Sequence, residues 1–338
     1  MISIRDVASR CGVSTATVSK ALNGYSDISN DTKEKVLKAA EELGYFPNSV
    51  ARTLKTNKSN NIGVLFNDGT HSGLTHEYFS EILESFKVGV EKRGYDVTFI
   101  NNNIGYKKMS YLEHCRYRGV DGIFIACVDF NSPAVLQLVS SELPVLTLDN
   151  KFNNRSAVIS DNILGIHDLV SYIYSQGHRK IAFIHGEFTS VTQNRLISFY
   201  RTIEEYGLNI PEEYVRQGIY HRADATAKIT KELLDLSDRP TCIIFPDDFS
   251  AIGGINVIHE RGLSITKDIS VAGYDGILLS KVLSPKLTTY KQDTKELGEK
   301  SAEKLISHIE KPRTTLPETI LVKGQLLTGE SVGQLKNH

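Results

Sequence analysis

Thr15, Ala16, Ser19, Lys20 and Asn23 recur along one side of the stretch Ser14–Asn23. They present short hydroxyls, one methyl, one ammonium and one amide, groups that suit close approach to base edges and phosphate oxygens. Val18, Ala21 and Leu22 lie on the opposite side, at the spacing of a buried helix face. A second short helix, Ile4–Arg10, precedes a Cys11–Gly12 turn, with Ile4, Val7 and Ala8 on its inner face. Two short helices about a glycine turn form a helix-turn-helix, which lays its second helix in the DNA major groove. The expectation is that this chain reads a DNA sequence. Taken alone, a polar outer face is equally well a solvated one.

Positioning these side chains needs caps and a core. Ser3 with Asp6 resembles a capping box, Ser14 caps the second helix and Ser29 a third that runs through Leu43. Gly12 and Gly44 end the first and third helices in the left-handed conformation. Val36, Leu37, Ala40 and Leu43 are predicted to close the small three-helix core.

A different chemistry follows in the body. Apolar runs at Ile62–Phe66, Val97–Ile100, Gly122–Cys127, Val145–Leu148, Ala157–Ser160, Ile181–His185, Cys242–Phe245 and Ser270–Gly273 alternate with amphipathic segments such as Tyr78–Arg93, Leu164–Gln176, Asn194–Tyr206 and Ala225–Leu236. This alternation predicts an α/β body of parallel doubly wound sheets, in two lobes. Ligands of such sheets bind beyond the carboxyl ends of the strands. Here those ends carry Asn67-Asp68, Asn101, Asp129, Asp149, Asp161, Asp247-Asp248 and Asp275. Facing rows of carboxylates and amides suit the hydroxyls of a small polyol. Each carboxylate alone reads equally well as a helix cap.

The bulk properties narrow the classes. Of 338 residues, 40% are hydrophobic and 23% charged, ordinary for a globular protein. Net charge is −1, yet residues 1–58 carry nine Lys/Arg against six Asp/Glu. A mildly basic head on an acidic body fits local phosphate attraction. No apolar stretch reaches membrane length and the first residues carry no secretory signal, so a cytoplasmic location is expected. Cys11, Cys115, Cys127 and Cys242 form no CxxC pair and are expected as free thiols. No nucleophile elbow, phosphate-binding glycine loop or zinc-binding helix motif occurs. His178, His185, His221 and His259 lack metal-ligand spacing. No enzyme activity, cofactor or metal is therefore expected. A transport-type sugar-binding protein without DNA function is allowed by the body alone and opposed by the head.

The linear pattern adds a resemblance. Ile4-Arg5-Asp6-Val7-Ala8, Gly12-Val13-Ser14, Ala16-Thr17-Val18-Ser19-Lys20, Leu22-Asn23-Gly24 and Leu43-Gly44-Tyr45-Phe46-Pro47-Asn48 closely resemble the DNA-binding head of the lactose-repressor (LacI/GalR) family. The resemblance implies base contacts from Thr15, Ala16 and Lys20. It implies phosphate contacts from Ser14, Thr17, Ser19, Asn23, Ser29, Thr32, Tyr45 and Asn48. Asn48–Lys55 matches the family's hinge helix, where Ala51 and Leu54 would meet bases in the minor groove and Leu54 would wedge between the central pairs.

In the body, Gly177-His178-Arg179-Lys180-Ile181, Pro246-Asp247-Asp248, Ile269–Asp275 and Leu287-Thr288-Thr289 resemble the family's effector domain, itself similar to periplasmic sugar-binding proteins. Leu326–Val332 matches its closing strand. The resemblance implies Arg195 and Asp275 as polar anchors of an effector pocket, lined by Asp247, Asp149, Asp161, Tyr78 and Phe79. The chain departs from the family at His76-Glu77, where Asn-Pro is common, and at Ser198, usually glycine. Implied boundaries are a head at 1–46, a hinge and linker at 47–58 and a body at 59–338. Within the body, one lobe takes about 59–160 and 291–320, the other about 161–290 and 321–338. No leucine-heptad tail follows, so a homodimer is expected. The implied function is a repressor of carbohydrate-utilisation genes, binding a pseudo-palindromic operator and switched by a small molecule. A sugar is the first expectation for that effector; a purine or nucleoside, or a protein corepressor, is the alternative.

Overall fold

The computed structural model describes residues 2–46, 58–69 and 72–335. The chain divides into two compact units, Met1–Ser59 and Asn60–His338.

The first unit holds α1 (Ile4–Cys11), α2 (Thr15–Leu22) and α3 (Asn30–Leu43). The Asp6 carboxylate accepts from the Ser3 N–H and Oγ, both at 2.8 Å. Ser14 Oγ accepts from the Thr17 N–H at 3.1 Å, and Ser29 Oγ from the Thr32 N–H at 3.3 Å. Each cap satisfies a first-turn donor that the helix itself cannot. Gly12 and Gly44 sit at φ 67° and 64°. Val7, Ala8, Cys11, Val18, Ala21, Val36, Ala39 and Ala40 form the core. Leu37, expected inside, is 52% exposed. Positions 36, 39, 40 and 43 make one helical face, and Leu37 lies about 100° round from Val36.

The second unit is built on two six-stranded sheets. In chain order it runs β1 (Asn61–Phe66), α4 (Glu77–Glu91), β2 (Asp96–Phe99), a small hairpin β3 (Asn103–Ile104) and β4 (Lys107–Lys108), α5 (Tyr111–Arg118), β5 (Gly122–Ala126), α6 (Pro133–Val139), β6 (Val145–Leu148) and β7 (Ser156–Ser160). It continues with α7 (Asn162–Ser175), β8 (Ile181–His185), α8 (Ser190–Glu205), β9 (Val215–Gln217), α9 (Ala223–Leu234), β10 (Cys242–Ile244), α10 (Asp248–Glu260), β11 (Ser270–Asp275) and α11 (Leu278–Val282). The last elements are β12 (Thr288–Lys291), α12 (Thr294–Glu310), β13 (Thr319–Val322) and β14 (Gln325–Leu327).

The first sheet has the order β13-β7-β6-β5-β1-β2, all parallel. The second has the order β14-β12-β11-β10-β8-β9, parallel except that β14 runs against β12. Helices cover both faces, so central strands are buried along their whole length. The period of two sorts each strand between two cores. Phe124 and Ala126 join one with Ile62 and Val64, while Ile123 and Ile125 join the other with Leu65. In the first lobe α4 and α12 pack closely: a Cβ on Gly298 would stand 2.6 Å from the Ile82 carbonyl oxygen.

The chain passes between lobes three times, between β7 and α7, between β12 and α12, and between β13 and β14. The last passage falls after Val322, because Thr319–Val322 pairs in parallel with Ala157–Ser160. The closing strand is shorter than expected, ending at Leu327 rather than reaching Val332. β9, β12 and β13 were not foreseen from the apolar runs; they are short, and β9 and β13 have polar or exposed positions.

Candidate functional site

The outer side of α2 carries the first set of candidates. Ser14, Thr15, Ala16, Asn23 and Ser29 are exposed, and Thr17, Ser19, Lys20, Thr32 and Tyr45 are half-buried. Ser14 and Thr17 share a hydroxyl contact at 2.9 Å, as do Ser29 and Thr32. Thus four of the expected phosphate ligands sit at helix N-termini, where spare N–H groups and the dipole favour an anion. Asn23 Nδ2 donates to the Ser19 carbonyl at 2.6 Å. Lys20 is ion-paired with Asp27, whose carboxylate raises the lysine pKa. Asp27 was not singled out in the sequence, since nothing in its spacing marks it. Asn48, Ala51 and Leu54, and the whole expected hinge helix, lie outside the described residues.

The second set converges in the cleft between the two lobes of the body. A cavity of about 470 Å³ opens at the carboxyl ends of the strands, within the usual size of small-molecule sites. Its wall includes Arg195, Asp275, Asp247, Asp149, Tyr78 and Phe79. Asp161 is not part of the wall. It caps α7, accepting from the Leu164 N–H at 3.0 Å, so at this position the capping role prevails.

Arg195 projects from α8 and is 4% exposed. Its Nε donates to Asn162 Oδ1 at 2.7 Å and Nη1 to the Pro246 carbonyl at 2.8 Å. Its carbon centre lies 3.6 Å from the Tyr274 ring centroid. Nη2 stands 3.9 Å from Asp275 Oδ1, too far for a hydrogen bond. The guanidinium is therefore held through two of its nitrogens, with Nη2 left to offer donors to the cleft.

Asp275 ends β11 at φ 100°, and its Oδ1 accepts from Gln292 Nε2 at 2.7 Å. Burial lifts its pKa to about 7, opposed by Arg195 and assisted by Asp247. Asp149 accepts from the Ser160 N–H at 2.9 Å and the Tyr78 hydroxyl at 3.1 Å, and burial raises its pKa too. Asp247 caps α10, accepting from the Ser250 N–H at 2.7 Å and the His221 N–H at 2.8 Å. Its neighbour Asp248 turns the other way, accepting from Thr289 Oγ1 and the Ile277 N–H inside the second lobe. Phe79 packs edge-on to Tyr78 at 5.0 Å.

The wall also holds His76, Glu187, Tyr220, Arg222 and Gln292. Sequence reasoning missed Tyr220, Arg222 and Gln292 because they lie beside β9 and β12, which no apolar run flagged, while His76 and Glu187 lie on loops, Glu187 just past the flagged strand Ile181–His185. Arg222 is engaged by Asp224 through two short hydrogen bonds. Across the cleft, Ser190 Oγ donates to the Asp149 carbonyl at 2.8 Å, and the Leu278 N–H donates to Glu77 Oε1. Among the described residues no group of His, Cys, Asp and Glu is placed to hold a metal ion. Nor is any helix long and apolar enough to cross a membrane.

Residues 3–48 match the family model "Bacterial regulatory proteins, lacI family", and residues 170–332 match a periplasmic binding protein-like domain. The HTH-type transcriptional repressor PurR of Pasteurella multocida is 32% identical over 314 residues, 91% of this chain and 92% of that relative. The crystal structure of the lac repressor dimer bound to operator and an anti-inducer superposes with a TM-score of 0.80 at 27% identity, covering 98% of this chain and 99% of that one. A LacI family regulator from Enterococcus faecium with bound ribose gives 0.70 at 26% identity, covering 82% of this chain and all of that one. The chain belongs to the lacI family of bacterial regulatory proteins.

Proposed function

We propose that this protein is a transcriptional repressor that binds a pseudo-palindromic operator as a homodimer, and that a sugar in the interlobe cleft switches its affinity. The observation that carries the effector reading is the cleft itself. Arg195 offers free donors opposite the acceptor oxygens of Asp149, Asp247 and Asp275, a set that matches the many hydroxyls of a sugar. The ribose-bound family member supports the same class. In the head, Thr15, Ala16 and Lys20 read base edges while Ser14, Thr17, Ser19, Asn23, Ser29, Thr32 and Tyr45 hold phosphates. Leu54 and Ala51 enter the minor groove, with Asn48 on the backbone.

A nucleobase is the second reading, favoured by the flat rings of Tyr78, Phe79 and Tyr220 in the wall. The coupling is reciprocal: operator must change effector affinity by the same factor as effector changes operator affinity, typically ~1–3 kcal/mol.

The test is selection of operator from a random DNA pool, followed by a panel of sugars and nucleobases added to the selected complex. A palindrome that one sugar dissolves or tightens supports the reading and gives the sign of control. Response to a nucleobase alone replaces the sugar, and no enriched sequence overturns the whole reading.

A further inference from the structure

Two imidazoles from opposite lobes stack at the mouth of the cleft. His76 precedes α4 of the first lobe, and His221 precedes α9 of the second. Their ring centroids are 4.1 Å apart with planes 21° from parallel. Phe249 continues the stack behind His221 at 4.0 Å and 17°. Phe79 closes the edge of His76 at 4.8 Å. His221 is held in place by its own N–H, which donates to Asp247, and its backbone is left-handed at φ 54°. His76 is 8% exposed, and its Nδ1 is buried with no hydrogen-bond partner among the described residues.

An unpartnered buried nitrogen costs free energy that water would restore on opening. Protonation of His76 would bury a cation against a second imidazole, so the closed contact favours the neutral ring. We propose that His76 and His221 form a proton-sensitive clasp between the lobes, so that acid opens the cleft.

Five influences set the titration of His76. Burial disfavours its cation most, and His221 from the second lobe opposes it next. Asp68, from the loop after β1, and Asp247, at the start of α10, favour it, as does its own backbone, the weakest of the five. The balance lowers the His76 pKa to about 4 from 6.5. The closed form thus binds this proton more weakly than the open one. The clasp is fully effective above pH 6.5 and weakens as pH falls from 6.5 toward 4. Linkage of these two values makes the open fraction about tenfold larger at pH 5.5 than at pH 7.5. Release of an effector by acid follows if the cleft holds one, and that consequence rests on the function proposed above.

Cys127 reports opening without any ligand, because it lines the cavity and is half-buried. The full-length protein is treated with 4,4′-dithiodipyridine between pH 5.5 and 7.5. Labelling of Cys127 is followed by peptide mass spectrometry, in the unsubstituted protein and in His76→Phe. Phenylalanine keeps the aromatic disc and cannot titrate, and the ordinary pH dependence of the thiol cancels in the ratio of the two rates. That ratio is expected to rise about tenfold toward pH 5.5; a flat ratio overturns the clasp. If His76→Phe fails to fold, the Cε1–H resonance of His76, assigned by its loss in His76→Gln, gives the answer directly. A midpoint below about 5 supports the proposal and one near 6.5 overturns it. Neither measurement uses DNA or sugar, so failure here leaves the functional reading standing.

Discussion

Replacing Asp275 by asparagine is expected to make the protein more stable at pH 8 while destroying its response to effector. The carboxyl is only 11% exposed in its side chain, and its pKa stands near 7 against an ordinary 3.8. A carboxyl whose pKa is raised by folding resists ionisation in the native state. The cost is absent below pH 3.8, grows as pH rises toward 7 and is constant above it. A displacement of about three pH units, at about 1.36 kcal/mol each, is worth roughly 4 kcal/mol as an upper figure. Asparagine removes the charge and keeps an oxygen to accept from Gln292. It also tolerates the left-handed backbone at φ 100° better than most residues. Urea unfolding at pH 8 and pH 4, with thermal melting alongside, measures the effect. For a unit of this size the gain at pH 8 corresponds to roughly 8 °C in Tm, and it should nearly vanish at pH 4. A variant no more stable than the parent at pH 8, or equally shifted at both pH values, refutes the claim that Asp275 is held ionised against its environment.

Arg195→Lys retains charge but cannot hold Asn162 and Pro246 with a two-nitrogen fork; one buried acceptor is left bare, at about 1–3 kcal/mol in urea unfolding, and sugar affinity by calorimetry should fall at least about tenfold. Lys20→Ala is expected to change the selected operator sequence more than the affinity for random DNA, and equal losses on both in a gel-shift assay would contradict base reading by Lys20. Gly44→Ala meets no neighbour within 4 Å but must adopt φ 64°, so the head should lose about 1 kcal/mol in thermal unfolding, with Gly44→Asn recovering part of it.

What could be read in the sequence is what is decided over a few residues. Ser14, Ser29 and Asp6 cap helices because the donors they satisfy lie three positions away. Gly12 and Gly44 end helices because only the local backbone matters there. The long strands of both sheets were legible because burial on both faces demands unbroken apolar runs. The same locality explains the errors. Leu37 looked internal by type, yet the angular placement fixed by its neighbours turned it outward. β9 and β12 escaped notice because Val215-Arg216-Gln217 and Thr288-Thr289-Tyr290-Lys291 hold no apolar run, whereas the equally short β10 and β6 do.

The sequence by itself determined the helix-turn-helix head, the alternating α/β body and the row of carboxylates at the strand ends. Each follows from side-chain type and short-range spacing. Only the tertiary structure decided which of those carboxylates meet. Asp149 from the first lobe reaches the same cavity as Asp247 and Asp275 from the second, while Asp161 is spent on a helix cap. The meeting of His76 with His221 was equally beyond the sequence. Such contacts join residues far apart in the chain, and they depend on how two separately folded sheets close on each other rather than on any local rule.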